Sequence, residues 1–242
     1  MRSEEEMMII LFELSGEQPA LALSEVKACM EAQMVNYEEE EQNRFFVAKV
    51  KTNDKEIQKM ANRLSLCYTI NEIIASGTKE EVSEKLHRFR PAQKKFKIEG
   101  RKFKKEESIS LLKREFGGVL TRDGIAKVDL QNPDVVFRVF IADKIFFCRR
   151  IACVERKDFE KRKPQHRPFS PPISLHPKFA RALVNLSRVK EGDRLLDPFC
   201  GAGGILIEAG LIGAKVIGID VKKKMVAGCK KNLEYYRIRD YE

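Results

Sequence analysis

The sequence contains no Cys-x-x-Cys pair and only three histidines, at 87, 166 and 176. Its six cysteines (29, 67, 148, 153, 200 and 229) are scattered, so the clustered ligand set of a structural zinc site is not expected. They read instead as reduced, mostly buried thiols of a reducing compartment. No apolar run approaches the roughly 20 residues that a bilayer span needs. The run at 7–12 follows Glu4-Glu5-Glu6 rather than a basic segment, which is wrong for a signal peptide. Low-complexity segments are also missing. The expectation is a cytosolic protein with no membrane and no metal among its partners.

Acidic residues are nearly missing from one stretch. Between 85 and 105 ten residues are Lys or Arg and only Glu99 is acidic. The formal net charge of +10 is therefore uneven: −6 over residues 1–80, +12 over 81–180 and +4 over 181–242. A concentrated basic block is the electrostatic footprint of a phosphate-backbone binder. A plain solvated face is the alternative. Phe89, Phe96 and Phe103 interleave the charges, and further basic clusters at 149–150, 156–157 and 161–163 favour nucleic acid. A hydrophobic content of 43% over 242 residues supports one or two folded domains rather than disorder.

Three units follow along the chain. In the first, an apolar strand at 8–14 turns at Ser15-Gly16-Glu17, and Leu23, Val26 and Met30 recur at helical spacing. Residues 33–40 and 44–50 read as paired strands, Asp54 as the cap of a helix at 55–63, and 66–74 as a returning strand. This βαββαβ order predicts a ferredoxin-like α+β unit over 1–77. The second unit, 78–154, begins with a helix at 79–89, passes the basic segment, and continues with a helix near 106–116 that stops at Gly117-Gly118. Turns follow at Arg122-Asp123-Gly124 and Asn132-Pro133-Asp134, then a hairpin of 135–139 and 144–148. Four prolines between 164 and 172 mark 155–172 as a stiff, extended linker.

The third unit, 173–242, carries the sharpest motif. A buried parallel-type strand at 193–197 runs into Pro198-Phe199-Cys200-Gly201-Ala202-Gly203-Gly204 and an apolar helix at 205–211. A second strand, 215–220, ends in Asp220. A strand, a glycine turn, a helix and an acidic strand end make half of a nucleotide-binding crevice. The loop is not a full G-x-G-x-x-G, because Leu206 stands where the last glycine belongs, and this disfavours a pyrophosphate cofactor. The lead-in Asp197-Pro198-Phe199-Cys200-Gly201 fits S-adenosylmethionine, whose sulfonium and amino groups favour a nearby carboxylate. A tight helix turn with no ligand is the plain alternative.

Residues 164–221, through Ser174-Leu175-His176-Pro177-Lys178, 180–186 and 197–204, resemble the archaeal tRNA guanine-N2 methyltransferases. That resemblance implies a ferredoxin-like domain, a THUMP domain, a linker and a Rossmann-like methyltransferase domain, acting on the tenth nucleotide of tRNA. It implies that Asp197, Phe199, Gly201 and Gly203 line the methionine end of S-adenosylmethionine and that Asp220 binds the ribose. It implies further that the helix starting at His176-Pro177 braces the pocket, although His176 serves equally as its cap and Phe199 equally as core. The charge of the basic block predicts that Lys94, Lys95, Lys97, Arg101, Lys102, Lys104 and Lys105, with the linker, bind the tRNA backbone, and the resemblance implies that the THUMP unit grips the 3′ end.

The family's Asp-Pro-Pro-Tyr motif does not occur in these 242 residues, and Pro171-Pro172 lacks its aromatic. The expectations are thus a partial methyltransferase domain, no catalytic residue within the sequence, and no turnover by it alone. A second chain completing the fold, or a non-catalytic tRNA-binding THUMP protein with a vestigial methyltransferase domain, are the alternatives that this departure leaves open.

Overall fold

The computed structural model describes residues 5–42, 44–92, 94–103 and 108–242. Strand β1 (Glu6–Leu14) and helix α1 (Pro19–Ala32) are followed by β2 (Tyr37–Gln42), β3 (Phe45–Thr52), α2 (Asp54–Arg63) and β4 (Cys67–Gly77). Alternation along β1 sends Met8, Ile10, Phe12 and Leu14 to a core shared with Val26 and Met30 of α1 and Ile57 and Met60 of α2. Full burial of such side chains contributes about 1.5–3 kcal/mol each, enough to override local propensity. The strands order as β2-β3-β1-β4, all antiparallel, which is the ferredoxin-like arrangement.

The sheet does not break at Gly77. The other edge of β4 pairs with β8 (Ile145–Cys153), and the sheet continues through β7 (Val135–Ile141) and β5 (Lys95–Lys102) to the short β6 (Lys127–Val128). Strands β7 and β8 form the expected hairpin, while β5 runs parallel to both its neighbours. Helices α3 (Lys79–Arg88) and α4 (Ile109–Thr121) cover Phe96, Ile98, Phe137 and Phe147. The alternate residues Leu11, Phe45, Val47, Phe140, Phe146 and Cys148 join in one separate cluster. All four helices therefore lie on one face of an eight-stranded sheet. The bare face curls inward: Glu13 of β1 reaches Arg101 of β5 and Arg138 of β7, although β4 and β8 lie between.

Four details differ from the sequence reading. The cap of α2 is Asn53, whose Oδ1 accepts from the amides of Lys55 and Glu56, both at 3.0 Å. Asp54 is thereby free to pair with Arg149 of β8 at 2.7 Å. Helix α4 runs through Gly117-Gly118, because the apolar stripe Leu112, Phe116, Leu120 continues past the glycines. Phe96 lies within the core and Phe89 and Phe103 pack on buried rings, so the aromatics between the charges are structural. Residues 155–172 are not an extended connection. They hold a helical turn, α5 (Lys157–Lys161), and a 3₁₀ turn, and they bury Phe159 and Arg167.

Helix α6 (Pro177–Leu186) follows, then β9 (Arg194–Asp197), α7 (Gly204–Gly210), β10 (Lys215–Gly218) and α8 (Lys223–Tyr235). Strands β9 and β10 are parallel, as expected, but β9 is half exposed rather than buried, with Leu196 at 54% exposure. Helix α6 packs between α1 and α7 through a buried polar junction. Glu25 of α1 accepts from the Ser65 hydroxyl (2.6 Å), the amides of Ser65 (3.0 Å) and Leu66 (2.8 Å), and Nδ2 of Asn185 on α6 (2.8 Å). Burial pushes the Glu25 carboxyl above the usual range, opposed by these donors. Arg63 adds hydrogen bonds to Asn185 (2.8 Å) and to the Val189 carbonyl. Glu25→Ala leaves buried donors unpaired and is expected to cost about 3 kcal/mol or more. Urea unfolding measures this, and a cost below about 1 kcal/mol would mean that water substitutes for the carboxylate.

Candidate functional site

The two parallel strands bring the glycine turn and the acidic strand end together. Asp220 Oδ2 accepts from the Gly201 amide at 3.0 Å and Oδ1 from the Lys222 amide at 2.8 Å. Asp197 Oδ1 accepts from the Phe199 amide at 3.1 Å. The Cys200 amide and the Ile219 carbonyl close the same ends at 2.9 Å. The turn needs glycine at two points, since Gly201 (φ +52°) and Gly203 (φ +79°) both lie in the left-handed region. A Cβ on Gly203 would also stand 2.5 Å from Cys229 Sγ. Phe199 is 81% exposed, which removes the core reading and leaves its ring facing solvent beside Asp197. Burial raises both nearby thiols, Cys229 to about 12, so neither is a thiolate nucleophile at neutral pH.

His176 caps α6. Its Nδ1 accepts from the Lys178 amide at 3.2 Å and its Nε2 lies 3.3 Å from Glu160 Oε1. Burial lowers its pKa while Glu160 opposes the shift. None of these contacts involves Asp197, Phe199, Gly201, Gly203 or Asp220.

Two residues at this site escaped the sequence reading. Asn232 of α8 is fully buried, donates to the Ala202 carbonyl (2.9 Å) and exchanges both backbone bonds with Phe169, tying the glycine turn to the linker. Its signal was a polar residue on the stripe of Cys229 and Leu233. Arg167 lies under the same turn, where a Cβ on Gly204 would meet its Nη1 at 3.4 Å. The cleft of about 770 Å³ lies elsewhere, between the two halves, lined by Arg63, Phe159, Arg162, Arg181 and Lys190.

The basic block is less free than its composition suggests. Lys95 pairs with Asp129 (3.6 Å) and Lys97 with Glu99 (2.9 Å). Arg101 pairs with Glu13 and sits over the rings of Tyr68 and Phe103. Lys94 and Lys102 are exposed, and Lys104 and Lys105 lie outside the described residues. In the linker, Arg156, Lys161 and Lys163 pair with Glu17, Asp158 and Glu160. Among the described residues no cluster could hold a metal ion, and no helix is long and apolar enough to cross a membrane.

Known proteins match this arrangement over nearly the whole chain. The THUMP domain family matches residues 69–147, and the RMKL-like methyltransferase domain family matches 164–242. The tRNA (guanine(10)-N2)-dimethyltransferase of Methanothermobacter thermautotrophicus is 36% identical over 98% of this chain and 70% of its own length. That of Pyrococcus abyssi is 36% identical over 95% of this chain and 68% of its own. The crystal structure of TrmN from Thermus thermophilus shares the fold, with a TM-score of 0.58 at 20% identity over 97% of this chain and 72% of that one. Taken with the mixed α/β architecture and the glycine turn stapled to Asp220, these matches establish that the chain belongs to the tRNA (guanine(10)-N2)-dimethyltransferase family.

Proposed function

We propose that this protein methylates the N2 amino group of a guanosine in tRNA, at position 10, with S-adenosylmethionine as donor. The observation that carries the reading is the Asp220–Gly201 staple at the ends of two parallel strands, in a chain that also carries a THUMP domain. The residues fit the cofactor. Gly201 and Gly203 keep side chains out of the turn, and Asp197 and Asp220 supply carboxylates at its two ends. Asp197, Phe199, Gly201 and Gly203 would hold the methionyl end, and Asp220 the ribose hydroxyls. When bound, the cofactor supplies an electrophilic methyl group. His176 supports the site from a distance, by starting the helix that packs on α7.

No residue is assigned to grip the target base. Pro171-Pro172 lies just before α6 and is followed by Ile173 rather than an aromatic, and Asp-Pro-Pro-Tyr is not present in residues 1–242. Alignment of amino nitrogen, methyl and sulfur supplies much of the rate in such transfers. Residues 1–242 alone are therefore expected to incorporate no labelled methyl into unmodified tRNA. Robust incorporation would show that the base-gripping group lies within these residues.

Two further measurements address binding. Asp220→Ala should abolish calorimetrically detectable S-adenosylmethionine binding, because the ribose acceptor and the Gly201 staple go together. Wild-type affinity would leave Asp220 a purely structural role. Lys94, Lys95 and Lys97 reversed together to Glu should weaken every tRNA alike, by about tenfold or more, and flatten the salt dependence. Unchanged filter binding would place the tRNA backbone on another face.

A further inference from the structure

An excess of buried positive charge surrounds the base of the glycine turn. Glu208 of α7 is fully buried, and its single carboxylate already accepts from Arg162 (2.8 and 3.1 Å) and pairs with Arg181 (2.9 Å). Arg167 is a third guanidinium beside it, only 6% exposed. Its Nε donates to the Arg162 carbonyl at 3.0 Å, whereas Nη1 and Nη2 are sealed from water with no hydrogen-bond partner among the described residues. The Tyr236 hydroxyl lies against the same guanidinium, but it is a neutral phenol and supplies no counter-charge. Burial depresses the Arg167 pKa, Tyr236 and Glu208 resist this, and Arg162 adds to it. Three guanidiniums thus share one buried carboxylate, and a buried guanidinium with no ion pair of its own is costly, a cost that falls when a further anion arrives within a low-dielectric distance.

The position of Arg167 indicates where that anion comes from. Nη1 would be 3.4 Å from a Cβ on Gly204, the residue that ends the glycine turn and begins α7. Of the cofactor's groups, only the methionyl carboxylate is anionic, and the cofactor reading above puts the methionyl end on this turn. We propose that Arg167 is the buried counter-charge for the methionyl carboxylate, a positioning residue that acts through the glycine turn. This rests on the cofactor reading. It assigns to a linker residue the selection of the amino-acid end over the nucleoside end.

Two ligands separate these ends. S-adenosylhomocysteine carries the carboxylate; 5′-methylthioadenosine keeps the adenosine and thioether but lacks the whole amino-acid end. In calorimetry, Arg167→Met should weaken S-adenosylhomocysteine about tenfold or more and leave 5′-methylthioadenosine within about twofold, with Arg167→Lys recovering most of the loss. Equal weakening of both ligands, or of neither, overturns the proposal. Wild-type protein gives an independent check if the Met variant does not fold. A buried counter-charge is poorly screened, so the preference for S-adenosylhomocysteine should survive from about 0.05 to about 0.5 M salt. Collapse of that preference would assign the carboxylate to exposed cations and overturn the proposal. Wild-type binding of neither ligand would overturn the cofactor reading itself.

Discussion

One buried carboxylate fixes how the two halves of this chain meet. Glu25 sits in α1, fully buried, and gathers donors from Ser65, Leu66 and Asn185. Left without them it would be a buried carboxyl with unmet hydrogen bonds, so the entry to β4 and the position of α6 are set together. Helix α6 then carries Arg181 to Glu208 on α7, and α7 begins at the glycine turn. A chain of short, buried contacts therefore links the ferredoxin-like core to the proposed cofactor site. The proline-rich connection does not float between the halves; it is built into this contact through Arg162, Arg167 and Phe169.

The contacts that could be read in the sequence are those encoded by local pattern. The βαββαβ order was legible because apolar alternation in β1 and helical spacing in α1 are properties of neighbouring residues. The glycine turn was legible because Gly201 and Gly203 meet a backbone demand that few other residues satisfy. What escaped depends on partners far along the chain. Asn53 rather than Asp54 caps α2, and the Asp54 carboxylate goes instead to Arg149, 95 residues away. The glycine pair in α4 does not stop the helix because Phe116 and Leu120 are buried against another strand. Arg167 and Asn232 look like ordinary polar residues until the linker folds back beneath the turn.

Charge shows the same division. The basic block is conspicuous in composition, yet its carboxylate partners come from β1, from the β6–β7 turn and from β5 itself. Glu99 alone meets Lys97, Arg138 and Arg150, and although burial would raise its carboxyl, these cations hold it below the usual range. The potential of such a surface comes from the cations left over, Lys94 and Lys102 among the described ones, rather than from the Lys and Arg total.

The two irregularities between β4 and β8, at Ile70/Asn71 and Ile73/Ala75, have a consequence for insertion and deletion. Before the irregularity β8 turns Phe147 and Arg149 toward the helices, and after it Ala152. The extra residue resets the alternation, so one strand serves two helix layers on the same face. Loss of a single residue from this seam would exchange inward and outward positions for everything beyond it. The turn at 129–134 is anchored to β5 at Asp129 and Asp134, but residues 130–133 between these anchors are largely exposed and carry no such phase. Length variation in this protein is thus tolerable at the rim of the sheet and forbidden at its centre, where the count of residues is itself part of the fold.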